Sequence, residues 1–193
     1  MRKSIDCLLK KVRRMKFAYV VLCLAMTMMV SLPSCSDDVG KTIPAHTEEE
    51  KLWITDNQNY FQERKGYVED GQLLYRQLVV EEDTLLYRIL ETSPIDSFPQ
   101  VNSDVKVSMR GILPVSNTQI VGDSKGNPIE ATLDLDSPDL IKGLAALLLE
   151  IRKGERVEAI IPYQLGYGDR NYPNPYIPLC STLQFTFTVK SFN

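Results

Sequence analysis

The chain has 193 residues, 44% of them hydrophobic and 24% charged, an ordinary balance for one globular domain with additions. Its net charge of −3 hides an asymmetry: residues 1–34 hold seven Lys or Arg and one acid, which leaves 15 basic and 24 acidic residues in 35–193, a net of −9. A body that acidic lacks the basic footprint nucleic acid requires, and the single histidine, His46, falls in a polar tether, which excludes a histidine-based triad or zinc site inside the domain.

Residues 1–34 read as a signal peptide. Basic residues end at Lys16, and an apolar run follows over 17–30. That run is short for a membrane-spanning helix and has no stop-transfer charges behind it. Leu32-Pro33-Ser34-Cys35 resembles a bacterial lipobox, which implies cleavage before Cys35 and acylation of its thiol. Translation starts at Met1 or at Met15. Ser36-Asp37-Asp38 resembles the acidic signal that sends some Bacteroidetes lipoproteins to the outer surface; a solvated acidic linker accounts for the same residues equally well. Cys7 and Cys23 belong to the signal and Cys35 to the lipid. Cys180 is then alone, so no intramolecular disulfide is expected, and Cys180 reads as a small buried hydrophobe.

Residues 35–46 form an acidic tether, polar and broken by Gly40 and Pro44. Thr47 followed by Glu50 is a capping-box pattern that opens a helix over 48–65, with Gly66 as its stop. Trp53, Tyr60 and Phe61 share one face, which packs on the domain or on a partner. Runs at 73–80 and 84–91, separated by Glu81-Glu82-Asp83, suggest a hairpin. A loop with Pro94 and Pro99 leads to a strand over 104–113. Residues 114–128 read as loop and 129–135 as strand.

Ser137-Pro138 offers a cap and a proline at the first helical position, so a helix is expected over 139–151, closed by Gly154. A strand follows over 155–162. The stretch 163–181, with Pro173, Pro175 and Pro178, is a long loop of the kind that usually carries function. Residues 182–192 alternate cleanly: Leu183, Phe185, Phe187 and Val189 on one face, Gln184, Thr186, Thr188 and Lys190 on the other. The expected fold class is α+β, a strongly twisted antiparallel sheet wrapped around one short helix.

The pieces VSMRGIL at 107–113, LIKGL at 140–144, RKGERVEAIIP at 152–162, GYG at 166–168 and IPLCSTLQF at 177–185 occur in that order. This order resembles an FKBP-type peptidyl-prolyl cis-trans isomerase domain. The resemblance implies an FKBP-like domain over 101–193, with residues 47–100 as a helix-and-hairpin extension. It implies a prolyl isomerase that assists folding of exported proteins and acts on proline-containing polypeptides without a cofactor or metal. It implies a location on the membrane through a lipid on Cys35, outer membrane, periplasmic or surface-exposed.

The resemblance also implies a site. Ile141, Tyr167 and Phe185 take catalytic positions: a backbone N–H donor, a hydroxyl donor and an apolar wall. Met109, Leu140, Leu144, Tyr172 and Ile177 take substrate-binding positions. The family's floor Trp is Leu144 here and its strand Tyr is Met109. A strand Phe becomes Ala131 or Leu133, and the family's carboxylate has Asp123 as its nearest equivalent. The cup stays apolar but loses aromatic area. A catalytically weak or inactive FKBP-fold chaperone or adaptor is therefore the alternative reading. Asp134, Asp136 and Asp139 suggest a cation cluster, yet solvated acids near a helix N-terminus explain Asp136 and Asp139 as well; no metal site is assigned.

Overall fold

Thr47 caps the first helix of the described residues, and both halves of the predicted capping box are present. In the computed structural model, which describes residues 46–193, the Thr47 hydroxyl accepts from the Glu50 N–H at 3.2 Å and the Glu50 carboxylate accepts from the Thr47 N–H at 2.9 Å. Helix α1, Glu48–Lys65, follows, with Glu48, Glu49 and Glu50 in its first turn and Arg64 and Lys65 in its last, signs that suit the helix dipole. The expected signal peptide, Cys35 and the expected tether as far as residue 45 lie outside the described residues. No helix among the described residues is long and apolar enough to cross a membrane.

Two hairpins come next. β1 (Val68–Glu69) and β2 (Gln72–Leu73) are joined by Asp70-Gly71, both at positive φ, the pair a tight hairpin turn favours. Leu73, assigned from sequence to the following strand, belongs to this small unit instead. β3 (Arg76–Val80) and β4 (Asp83–Glu91) pair as expected, with Glu81 at φ 57 in the turn. The remaining strands are β5 (Asp104–Leu113), β6 (Thr118–Val121), β7 (Ile129–Asp134), β8 (Arg156–Ile161), β9 (Tyr172–Pro173), β10 (Tyr176–Ile177) and β11 (Leu183–Phe192).

The main sheet runs β3-β4-β8-β11-β5, all antiparallel. β6 and β7 lie in tandem along the far edge of β5, pairing with Gly111–Leu113 and with Asp104–Met109. β6 falls inside the stretch read as loop, because four residues among turn formers give too short an alternation to register. The loop over 163–181 likewise holds a 3₁₀ turn, Tyr163–Leu165, and the β9–β10 hairpin.

The second helix, α2, is shorter than predicted, Lys142–Leu148. Ser137 does not cap it. The Ser137 hydroxyl accepts from the Asp139 N–H and its carbonyl from the Leu140 N–H, so the Ser-Pro segment closes as a separate turn. At the other end, the Glu150 and Ile151 N–H groups bond three residues back, which tightens the chain out of the α-helix. Gly154 does turn the chain, at φ 89, with the Ser93 hydroxyl 2.8 Å from where a Cβ would stand.

Period-two alternation sorts the sheet into two faces. The inner face gives Leu85, Val107, Val157, Ala159, Phe185 and Phe187 to a core with Leu144, Leu147 and Leu148 of α2. The outer face gives Leu86 and Ile160 to a smaller cluster with Tyr75 and with Phe61 of α1. Polar residues complete that outer layer. The Glu158 carboxylate accepts from the Tyr75 hydroxyl at 2.6 Å and from Arg88 Nε at 3.0 Å, and the Tyr60 hydroxyl donates to Gln184 at 2.9 Å. The result is the expected α+β class: a mostly antiparallel sheet around one short inner helix.

Candidate active site

Register places the site's wall. Phe185 of β11 pairs with Gly111 of β5 on one side and Ala159 of β8 on the other. The Phe185 ring lies over Gly111: a Cβ there would come within 2.6 Å of the ring's Cε1 and 3.3 Å of Ile120 Cγ1. Position 111 is therefore glycine because the aromatic ring occupies its side-chain space. Ile120, not singled out from sequence, borders this wall from β6. Its only signal was a pair of aliphatic residues, Ile120-Val121, in a polar stretch.

The LIKGL segment forms the start of α2. Gly143 lets the helix approach the sheet, since a Cβ would stand 2.6 Å from Ile161 Cγ2. Close approach brings Leu144 into the inner core. Ile141, the N-cap, offers its carbonyl to Leu144 and Ala145 N–H at 3.1 Å each. Its own N–H donates to no acceptor among the described residues.

Met109, Ile141, Leu144, Ile177 and Phe185 all belong to one apolar cluster, each between 0% and 9% exposed. Leu140 and Tyr167 are half-buried against it. So are Ala131 and Leu133. Tyr172 does not join the cluster. It is 41% exposed and meets the site through Tyr167, ring centroids 4.5 Å apart at 36°. The Tyr167 hydroxyl, like the Ile141 amide, has no partner among the described residues; burial, then the neighbouring Tyr172, raises its pKa above the usual 10.0. It stays a protonated donor at any physiological pH.

Asp123 does not reach the cluster. It is engaged in its own loop, accepting from the Lys125 and Asn127 N–H groups and from Asn127 Nδ2 at 2.7–2.9 Å. The Asn127 bonds hold its carboxyl below the usual carboxylate range. Cys180 is buried, as expected, at φ 54; burial, then Asp169, pushes its thiol up.

Two concavities lie elsewhere. One, about 490 Å3, runs between α1, the β3–β4 turn and the Tyr163–Leu165 turn. The other, about 350 Å3, separates the start of α1 from Tyr176, Pro178 and Leu179. Neither is lined by the eight residues assigned to the cup.

Comparison with known proteins agrees with this geometry. Residues 96–190 match the model of the family described as "FKBP-type peptidyl-prolyl cis-trans isomerase". The chain superposes on FkpA from Escherichia coli with a TM-score of 0.57 at 23% identity, covering 75% of this chain and 63% of that one. It superposes on a peptidyl-prolyl cis-trans isomerase from Pseudomonas syringae pv. tomato with a TM-score of 0.60 at 17% identity, covering 77% and 98%. Both likenesses show the fold. No curated protein matches the chain. Residues 96–190 are thus an FKBP-type peptidyl-prolyl cis-trans isomerase domain, in sequence pattern and in fold.

Proposed function

We propose that the chain is an active prolyl isomerase that assists the folding of exported, proline-containing polypeptides. The observation that carries this reading is the pair of unpartnered donors, the Ile141 N–H and the Tyr167 hydroxyl, both bordering one apolar cluster. An X-Pro bond rotates over a barrier of roughly 18–20 kcal/mol set by amide resonance. No proton needs to move. A twisted amide has lost its resonance charge separation, so a water-poor apolar wall favours it over the planar form. Phe185, Ile177 and Met109 supply such a wall, with Leu144 as its floor. Leu140 extends the rim, and Tyr172 supports Tyr167 by stacking. Donors that hold a neighbouring carbonyl of the substrate orient the rotating bond against that wall.

The sequence before residue 46 supports a place for this activity. Cys35 carries lipid after cleavage of residues 1–34, residues 35–46 tether the body, and the chain acts from a bacterial membrane, the outer one on this reading, in the periplasm or at the surface. A protease-coupled proline-peptide assay tests the activity. A rate no faster than the spontaneous one at high protein concentration overturns it.

One observation favours the adaptor reading instead. The floor and walls are almost fully buried, and Leu144 stands in for a large aromatic. A ligand then meets mainly Leu140, Ile141, Tyr167 and Tyr172. Binding of an unfolded client with no isomerase rate would decide for the adaptor.

A further inference from the structure

We propose that helix α1, outside the residues that carry the family match, is part of the isomerase site, with Trp53 and Asn57 as positioning residues for the loop that holds Tyr167, Tyr172 and Ile177. This rests on the functional reading above. The loop ends at Pro178–Thr182, and α1 grips that end. Trp53 Nε1 donates to the Ser181 hydroxyl at 3.2 Å, and that hydroxyl donates to the Pro178 carbonyl at 2.6 Å. Asn57, 1% exposed, accepts from the Thr182 N–H at 2.7 Å through its side chain and from the Thr182 hydroxyl at 3.1 Å through its carbonyl. Its amide also donates to the Trp53 carbonyl at 2.8 Å, which ties the two grips together. A buried asparagine whose side-chain oxygen and carbonyl both take bonds from the loop end is a directional device, since shape packing alone would need no amide there.

The grip reaches the neighbours of Tyr167 and Tyr172 in two further bonds. The Cys180 N–H donates to the Gly168 carbonyl at 3.0 Å, next to Tyr167, and the Leu179 N–H donates to Asn171 Oδ1 at 2.9 Å, next to Tyr172. Ile177 adjoins the gripped Pro178 directly. A second feature points the same way. Cys180 holds φ 54 without being glycine, a conformation that persists only where its surroundings impose it. The imposing bonds are those on either side of it: Gly168 on one, Trp53 and Asn57 through Ser181 and Thr182 on the other. Along the loop's outer side a 350 Å3 cleft lined by Trp53, Asn171, Tyr176 and Leu179 lies between helix and loop.

The test uses the full chain with four variants. Trp53→Phe and Ser181→Ala each remove the hydrogen bond to α1, and Ser181→Thr restores a hydroxyl. The expected result is faster amide exchange at Leu179 and Cys180, about three- to tenfold for one lost hydrogen bond, with exchange in β8 and β11 unchanged. In the same two variants kcat falls several-fold while KM moves little, and Ser181→Thr recovers both readouts. Phe61→Leu, also on α1, lowers stability without touching loop exchange or kcat. The proposal is overturned if Leu179 and Cys180 exchange as in the unaltered chain, or speed up only in step with β8 and β11. Should the unaltered chain show no isomerase rate, the functional reading falls, and the exchange measurement still decides whether α1 holds the loop.

Discussion

The two faces of the same sheet are held in different ways. On the inner face, β11 presents Leu183, Phe185, Phe187 and Val189 to α2, and shape alone orders them. On the outer face, the intervening Gln184 bonds Tyr60 of α1, Glu158 of β8 bonds Tyr75 and Arg88, and Thr182 bonds Asn57. Dispersion and burial tolerate small shifts; hydrogen bonds do not, because they weaken steeply with misalignment. The inner face therefore makes an apolar wall, and the outer face fixes where the elements around that wall stand.

Cutting one aromatic from each face gives the largest contrast. Phe187→Ala, in the middle of the inner core at 2% exposure, is expected to cost about 3–5 kcal/mol. Phe61→Ala under α1 is expected to cost less than the lower end of that range, since a surface helix can settle into the gap and the cost falls where a site collapses. Denaturant unfolding of the two variants measures the difference. Equal losses would mean that α1 is packed as rigidly as the core.

Alkaline pH probes the outer face. Burial, then the hydrogen bond to Glu158, raises the Tyr75 pKa well above the usual tyrosine value of 10.0. Ionisation is thus easier in the unfolded chain than in the folded one. The stabilisation is complete below pH 10 and is lost as pH climbs through the folded-state value. Stability should be flat from pH 7 to about 9 and fall beyond about 10. Tyr75→Phe should make that fall shallower, while Tyr60, Tyr163 and Tyr167, shifted the same way, keep it from vanishing. An alkaline limb unchanged in Tyr75→Phe would remove Tyr75 from the account.

How legible each face was follows from the range of its interactions. β5 was readable to the residue, and β11 to within one, because alternation is a local property. α1 was readable through its capping box. The outer network was not readable at all: its partners stand 70 to 128 positions apart, and nothing local marks Glu158 or Asn57 as bonded. α2 was drawn too long because Ser137-Pro138 satisfies a helix start and a free turn equally well. On the inner face, alternation selected Phe185 and Phe187 together and could not say which borders the Gly111 gap. Ile141 and Tyr167 were reachable only by resemblance to a family, since neither residue type announces an unpartnered donor.

Those two donors make a sharper test of the inner face. Tyr167→Phe removes a hydroxyl that no protein group accepts or donates to among the described residues. Stability should hold, because no buried partner is orphaned. The isomerase rate should fall about tenfold if the hydroxyl contributes one transition-state hydrogen bond of about 1.4 kcal/mol. Loss of stability with no loss of rate would reverse the assignment and make Tyr167 a packing residue.

The smallest effect is expected at Asp123. The family resemblance put a carboxylate of the cup nearest this residue, yet the bonds its carboxylate makes stay within residues 123–127. Asp123→Asn keeps an oxygen for the Lys125 and Asn127 N–H groups and loses only the acceptor for Asn127 Nδ2. The depressed carboxyl pKa contributes stability above the unfolded value of about 3.9 that fades as pH falls through the folded one. At neutral pH the variant should keep its kcat/KM, and its difference from the parent chain should disappear in acid. A drop in kcat/KM at neutral pH would show that the loop after β6 reaches the substrate, and that the directional bonding seen on the outer face extends to the rim of the inner one.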